Sequence, residues 1–357
     1  MAYECFDVSI ADKVAHVKLD RGPNLNTMIP SFWSELPEII NEISDEGKAR
    51  AIVISSTGKH FCAGMDLAVF TEGGLGDGGK TERGRRNALT RESALHLQES
   101  FTCFEKARMP VLVAIQGGCV GGAVDMVTAA DMRYATEDAW FCIQEINIGM
   151  TADVGTLQRL PKIIPEGVAR ELAYTGRRMS AQRAMEVGLV NEVFPSHEVM
   201  VDAVLDIASE ISTKSPLAIW GTKESINYTR DHSVADSLNF IATWQAGMYQ
   251  PKDMASVFEA QTKREEPEFD EEDRIREIEA FPELASSEAE SSSKREILEL
   301  KDDLITIKIL KEISDPIITA DGEEINFEKG DVGTISALIA ETLIAAGIAE
   351  KSTNQTM

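Results

Sequence analysis

What the 357-residue chain lacks narrows its reading first. Basic residues are scarce: 35 lysines and arginines face 60 aspartates and glutamates, a net charge of −25. A polyanion repels phosphate backbones and releases no counterions from them, which excludes a broad nucleic-acid footprint. The five cysteines, Cys5, Cys62, Cys103, Cys119 and Cys142, are odd in number and lack CxxC spacing. They fit reduced thiols and argue against a disulfide framework or a structural zinc site. No apolar run approaches the roughly 20 residues that span a bilayer, so no membrane partner is expected. The opening MAYECFDVSIADK has neither an apolar signal core nor an Arg/Ser-rich leader, and the closing STNQTM is no peroxisomal address. The expectation from these absences is a soluble, cytoplasmic protein.

What is present suffices for a large core, with 43% hydrophobic residues. FDVSI and VAHVKLD read as a hairpin around ADK. IPSFWSELPEIINEISD has helical periodicity, with Phe32, Leu36, Ile39, Ile40 and Ile43 on one face. ARAIVISS and VLVAIQG read as buried strands, and a long helix precedes the second, ending before Pro110. A polar, Gly-rich loop fills 71–84. A helix containing Val120, Val124 and Val127 and the extended segments MRYAT and AWFCIQE follow. Strand and helix alternate up to about residue 160 and helices follow, which predicts an α/β core with a helical C-terminal part. The domain expectation is 1–264, then an acidic, Ser-rich linker over 265–297, then a small β/α module at 298–351. In that module LITIKILKEI reads as a strand, Asp321-Gly322 as a tight turn and TISALIAETLIAAGIAE as an apolar helix.

The chemistry-bearing segments are glycine-rich. GGCVGGAVD, 117–125, has neither a following Lys-Ser/Thr nor GxGxxG spacing, so phosphate binding is disfavoured. Gly121 and Gly122 open a helix whose first N–H groups have no intrahelical acceptor. In HFCAGMDL, 60–67, Gly64 frees the backbone to turn the Met65 N–H into a cleft. Two such donors aimed at one point stabilise an oxyanion; the same glycines also serve tight packing. Three carboxylates lie in apolar surroundings: Asp125 one turn into the helix, Glu145 in CIQEINIG and Asp153 in GMTADVG. Each has a structural reading beside acid–base work. Asp125 can complement the helix dipole, Glu145 can be a paired acid, and Asp153 can be the N-cap of VGTLQRL. His60 and His232 read as surface or packing residues, and Cys62 and Cys119 as small apolar fillers.

HFCAGMDL, AIQGGCVGGAVDMVTAADMRYAT, QEINIGMTADVGTLQRLPKII and ARELAYTGRRMSAQRAMEVGLVNEVFP together resemble the enoyl-CoA hydratase/isomerase (crotonase) superfamily, in register from about residue 3 to 264. The pattern Asp125, Glu145 and Asp153, with YTRDHSVADSLNFIATWQAGM at 228–248, resembles most its Δ3,5-Δ2,4-dienoyl-CoA isomerase branch. The resemblance implies an α/β fold, a spiral of ββα turns with C-terminal helices that form a trimer, or a hexamer of two trimers. It implies that Met65 and Gly122 supply oxyanion-hole N–H groups, and that Ala63, Gly64, Met65, Asp66 and Leu67 line the acyl-CoA pocket. It further implies that Glu145 takes a proton from C2, Asp153 delivers one to C6 and Asp125 holds polarity and orientation. No cofactor is then needed beyond the coenzyme A carried by the substrate, and no metal. A hydratase or another isomerase of the superfamily is the alternative, and a non-catalytic trimeric scaffold is the alternative of another class. DPIITADGEEINFEKGDVGTISALIAETLIAAGIAE resembles the small domain of archaeal-type GINS proteins, which implies a protein partner for the C-terminal module.

Overall fold

The computed structural model describes residues 3–66, 69, 82–270, 304–310, 317–318, 324–325, 329, 331–336, 344 and 349–351. The chain divides into two units, Met1–Glu279 and Ala280–Met357.

The first unit begins with the antiparallel hairpin of β1 (Phe6–Ala11) and β2 (Val14–Leu19). Asp12 and Lys13 both take positive φ, +49° and +64°, the handedness that matches a two-residue turn to strand twist. Strand β2 then pairs in parallel with β3 (Ala51–Ser56), reached through α1 (Pro30–Asp45). The apolar stripe of α1, Phe32 through Ile43, is buried as its periodicity demands. After α2 (Arg83–Lys106), β4 (Val111–Ile115) joins β3 in parallel, and β6 (Met132–Thr136) and β9 (Glu192–Phe194) extend the sheet to the order β1-β2-β3-β4-β6-β9. AIVISS and VLVAI are buried throughout because both sheet faces are covered. One face meets α1 and its neighbours, and the other meets α7 (His197–Ser212) through Met200, Val204 and Ala208.

A second, smaller sheet carries the site. Its strands are β5 (Gly118–Val120), β7 (Trp140–Cys142) and β8 (Met179–Ser180), with β5 and β7 parallel and β8 antiparallel. Single bridges, Cys62 to Cys119 and Met28 to Met65, extend it. The chain therefore gives one strand to the large sheet, one extended segment to the small one, then a helix. That is the expected ββα spiral.

Two local readings are corrected. Val120 closes β5, and the helix α3 (Gly122–Ala129) starts two residues later. The region after residue 160 is not helix alone, since β8 and β9 follow it. Segments of two and three residues carry too little alternation to register in sequence; pairing partners create them. The helices there are α4 (Thr156–Ile163), α5 (Glu166–Thr175), α6 (Ala181–Glu186), α8 (Pro216–Thr229), α9 (Val234–Met248) and α10 (Pro251–Lys263). The first six residues past 264 pack back on this unit. Arg50 donates to the carbonyls of Phe269 (3.4 Å) and Asp270 (3.3 Å), and its guanidinium lies 5.8 Å from the Phe269 ring.

In the second unit β10 (Leu304–Ile309) pairs antiparallel with β13 (Val332–Ser336) and β14 (Ala349–Lys351), and β11 (Ile317–Ile318) pairs with β12 (Glu324–Ile325). LITIKI is the expected strand. TISALIAETLIAAGIAE is not helical throughout: its first three residues belong to β13 and Ala349 and Glu350 to β14. The rest of that segment apart from Ile344, the Asp321-Gly322 turn, and 271–297 of the expected linker lie outside the described residues. No described helix is long and apolar enough to cross a membrane.

Candidate active site

The site forms where two glycine-bearing segments run side by side. Beyond β3 the chain returns against β5: the Val120 N–H donates to the Cys62 carbonyl (3.1 Å) and the Cys62 N–H to the Gly118 carbonyl (3.2 Å). Gly64 takes φ +87°, and a Cβ there would stand 2.7 Å from the Val120 carbonyl oxygen, so this approach admits only glycine. The same hypothetical Cβ would lie 3.7 Å from the Gly122 nitrogen, which measures how near the two segments come. On its other edge, Met28 donates to the Gly64 carbonyl (2.9 Å) and Asp66 donates to the Met28 carbonyl (3.0 Å). The Met65 N–H lies between those two bonds and, by strand alternation, points the opposite way. Gly122 is the first residue of α3, with Gly121 before it at φ +56° and ψ −124°, a conformation reserved for glycine. Among the described residues neither the Met65 nor the Gly122 N–H has a protein acceptor. Met28 Sδ and Trp33 stand 3.0 and 3.8 Å from the place a Gly122 side chain would occupy, an apolar wall beside that donor.

The other expected pocket residues sit on the same loop. The Ala63 N–H donates to the Leu25 carbonyl (3.0 Å), and the Asp66 carboxylate accepts from the Thr27 hydroxyl (2.7 Å). Leu67 lies outside the described residues.

Strand β7 delivers Glu145. The Gly121 N–H donates to the Cys142 carbonyl (2.9 Å), and a short 3-10 helix, Glu145–Ile148, starts three residues on. Glu145 Oε1 comes within 3.1 Å of where a Gly121 Cβ would be, so the carboxylate stands beside the backbone next to the Gly122 donor. Its Oε2 is buried and has no protein partner. Burial, reinforced by the charges of Asp125 and Asp153, pushes the Glu145 carboxyl up to about 7.

Asp125 is 1% exposed. Its Oδ1 accepts the Thr156 backbone N–H at 2.6 Å, and its Oδ2 has no protein partner. Burial raises its carboxyl to about 6; the Thr156 hydrogen bond and the Arg159 charge oppose that rise, and the Asp153 charge adds to it. Thr156 is the first residue of α4, so Asp125 caps that helix from 31 residues away in sequence. The N-cap reading of Asp153 is thereby corrected: the cap position is Gly155, with no side-chain cap bond. Asp153 is exposed, and its carbonyl accepts from Gln98 Nε2 (2.8 Å). The three acids thus form a graded set, buried, half-buried and exposed, and do not all lie in an apolar cleft.

Thr156, Gln98 and Arg159 are participants that sequence reasoning missed. The periodic segment VGTLQRL announced the helix, but nothing in sequence ties Gln98 or Asp125 to its start. His60 accepts the Gly118 N–H (2.9 Å) and packs edge-on to Trp140, while His232 stacks on Tyr228 at 3.7 Å. Cys62 and Cys119 are fully buried, and burial pushes the Cys62 thiol up to about 12. These are packing roles, as expected. Among the described residues no three His, Cys, Asp or Glu side chains cluster as a metal site.

The sequence profile of the enoyl-CoA hydratase/isomerase family matches residues 9–272. The chain is 45% identical over 267 residues to the mitochondrial Δ(3,5)-Δ(2,4)-dienoyl-CoA isomerase of Homo sapiens, covering 74% of this chain and 81% of that protein. It is 38% identical over 256 residues to the peroxisomal Δ(3,5)-Δ(2,4)-dienoyl-CoA isomerase of Arabidopsis thaliana, covering 72% of this chain and 92% of that protein. Among solved structures, the enoyl-CoA hydratase of Bacillus anthracis superposes with a TM-score of 0.67 at 28% identity, covering 75% of this chain and all of that one. The relatives' compartments, mitochondrial and peroxisomal, overturn the cytoplasmic expectation. Unpaired thiols do not distinguish the cytosol from an organelle interior, so the cysteine pattern had no power to locate the chain.

Proposed function

Since the chain belongs to the enoyl-CoA hydratase/isomerase family, we infer that it is a Δ3,5-Δ2,4-dienoyl-CoA isomerase acting in the oxidation of unsaturated fatty acids. The observation that carries this reading is the union of two unpartnered N–H groups, Met65 and Gly122, with an acid set of graded burial, Asp125, Glu145 and Asp153.

The chemistry follows from that layout. The thioester carbonyl oxygen accepts the Met65 and Gly122 N–H groups, which together with the α3 dipole stabilise negative charge on it. Glu145, ionised, removes a C2 proton; the C–H electron pair becomes the C1–C2 double bond and the oxygen takes the charge. The resulting trienolate is conjugated through C6. When the carbonyl reforms, double bonds settle at C2–C3 and C4–C5, and C6 takes a proton from Asp153. One proton leaves and one arrives, so electrons balance with no oxidant and no cofactor other than the coenzyme A of the substrate. Asp125 holds the segment that carries Asp153 and keeps negative charge near Glu145, which sustains its basicity. Ala63, Gly64 and Asp66 lie on one loop, and with Leu67 they are proposed to line the coenzyme A path.

A homotrimer, or a hexamer of two trimers, is proposed for this chain. Val234 (73% exposed), Leu238 (63%), Ile226 (61%) and Phe258 (60%) on α8, α9 and α10 supply unpartnered apolar surface for it.

The test is to incubate the protein with a 3,5-dienoyl-CoA and follow the 2,4-dienoyl chromophore. Its appearance supports the isomerase. Hydration of a 2-enoyl-CoA without that chromophore indicates a hydratase, and inactivity on both indicates a scaffold.

A further inference from the structure

We propose that Arg159, held by Glu105, is a positioning residue that clamps the Asp153–Thr156 segment and so fixes both Asp153 and the Asp125–Thr156 hydrogen bond. The proposal rests on the isomerase reading and adds residues to it.

Helix α2 presents a polar stripe, Gln98, Thr102 and Glu105, at the i, i+4, i+7 spacing of one helix face. All three serve the same four-residue segment. Gln98 holds its start, donating to the Asp153 carbonyl at 2.8 Å. Thr102 and Glu105 act one residue further on through Arg159, whose side chain leans back toward the start of α4 as helical side chains do. Arg159 Nε and Nη2 donate to Glu105 Oε2 at 3.1 and 2.6 Å, and Nη2 also donates to Thr102 Oγ1 at 3.1 Å. The remaining nitrogen, Nη1, reaches the Val154 carbonyl at 3.5 Å. A Cβ on Gly155 would overlap the guanidinium, so glycine at 155 is what lets the arginine lie against the backbone. The other Glu105 oxygen takes Arg230 Nη1 at 2.5 Å, which fixes the carboxylate from the C-cap of α8.

Arg159 and Glu105 are only 14% and 20% exposed, so the pair is not one of the solvated surface pairs that contribute little. The guanidinium is also the cation that acts on Asp125 against burial and the Asp153 charge. The remaining groups around that carboxyl are Glu145, which shares its field, and the neutral Cys119 thiol. Glu105 reaches it only through Arg159.

The experiment compares the whole chain with Arg159→Met, Arg159→Lys and Glu105→Gln. Misplacing the Asp153 segment lowers kcat ~10- to 100-fold in Arg159→Met with KM little changed, because no substrate contact is removed. Loss of the cation also moves the acid limb of the kcat/KM profile to higher pH. Arg159→Lys returns that limb to the wild-type position while kcat recovers only in part, since an ammonium cannot bridge Glu105, Thr102 and Val154 together. If Arg159→Met does not fold, Glu105→Gln carries the test, and lowered kcat at unchanged KM supports the proposal. Wild-type kcat and an unmoved acid limb, with only the melting temperature lowered, overturn it. An infrared titration of the protonated-carboxyl band, without substrate, reads the upward shift independently of turnover. A wild-type chain inactive on dienoyl-CoA whose arginine variant still shows that shift overturns the isomerase reading and leaves the clamp standing.

Discussion

The Asp125 carboxylate accepts the Thr156 backbone N–H at 2.6 Å, joining the helix that opens with a proposed oxyanion donor to the helix that follows the proposed acid Asp153. Asp125→Ala strands a buried N–H and removes the cap. The expected result is a loss of about 1–3 kcal/mol in urea unfolding together with lowered kcat. Asp125→Asn retains an acceptor and is expected to recover most of the stability and little of the turnover.

The acid limb of the rate profile should belong to the coupled pair Asp125 and Glu145, raised to about 6 and about 7. Glu145 acts as a base only when ionised, so kcat/KM rises with pH through that window. A limb with its midpoint below about pH 5 would show that neither raised carboxyl governs the reaction.

Stability runs the other way with pH. Both carboxyls titrate above their ordinary range in the fold, so the fold favours their protonated forms. The stability they contribute is complete below about pH 4 and is lost as pH rises through about 6 to 7. Glu145→Gln is inactive on this account, yet more stable than wild type by on the order of 1–3 kcal/mol at about pH 8 and nearly equal at about pH 4. An equal difference at both values would remove the linkage.

Gly121→Ala tests the backbone at the donor. The residue sits at φ +56° and an added Cβ would lie 3.1 Å from Glu145 Oε1. The expected outcome is a folded, less stable protein with kcat reduced ~10- to 100-fold, because the base and the neighbouring N–H both move. Wild-type turnover in that variant would separate Glu145 from the reaction.

Much of this site was legible because its parts are local. AIVIS and VLVAI are continuous apolar runs long enough to declare buried strands, and the stripe from Phe32 to Ile43 declares α1. Gly64 and Gly122 mark close backbone approach, which the structure shows at both positions, while the reading of Met65 and Gly122 as donors came from the family resemblance. What stayed hidden is non-local. Asp125 and Thr156 are 31 residues apart, and Gln98 lies 55 residues from the carbonyl it holds. No periodicity encodes such pairings. Asp153 failed as a cap for the same reason: the acceptor for the first amide of α4 came from another helix. Strands β8 and β9 exist only because β7 and β6 offer them edges.

The most direct test of the account is the position of solvent hydrogen in the product. A 3,5-dienoyl-CoA turned over by the wild-type chain in deuterated water should give 2,4-dienoyl-CoA carrying deuterium at C6, read by proton NMR and mass spectrometry. Asp153→Asn should leave C2 exchange intact and yield no C6-labelled product. Wild-type product without deuterium at C6, or hydration in place of isomerisation, would contradict the proton path from C2 to C6.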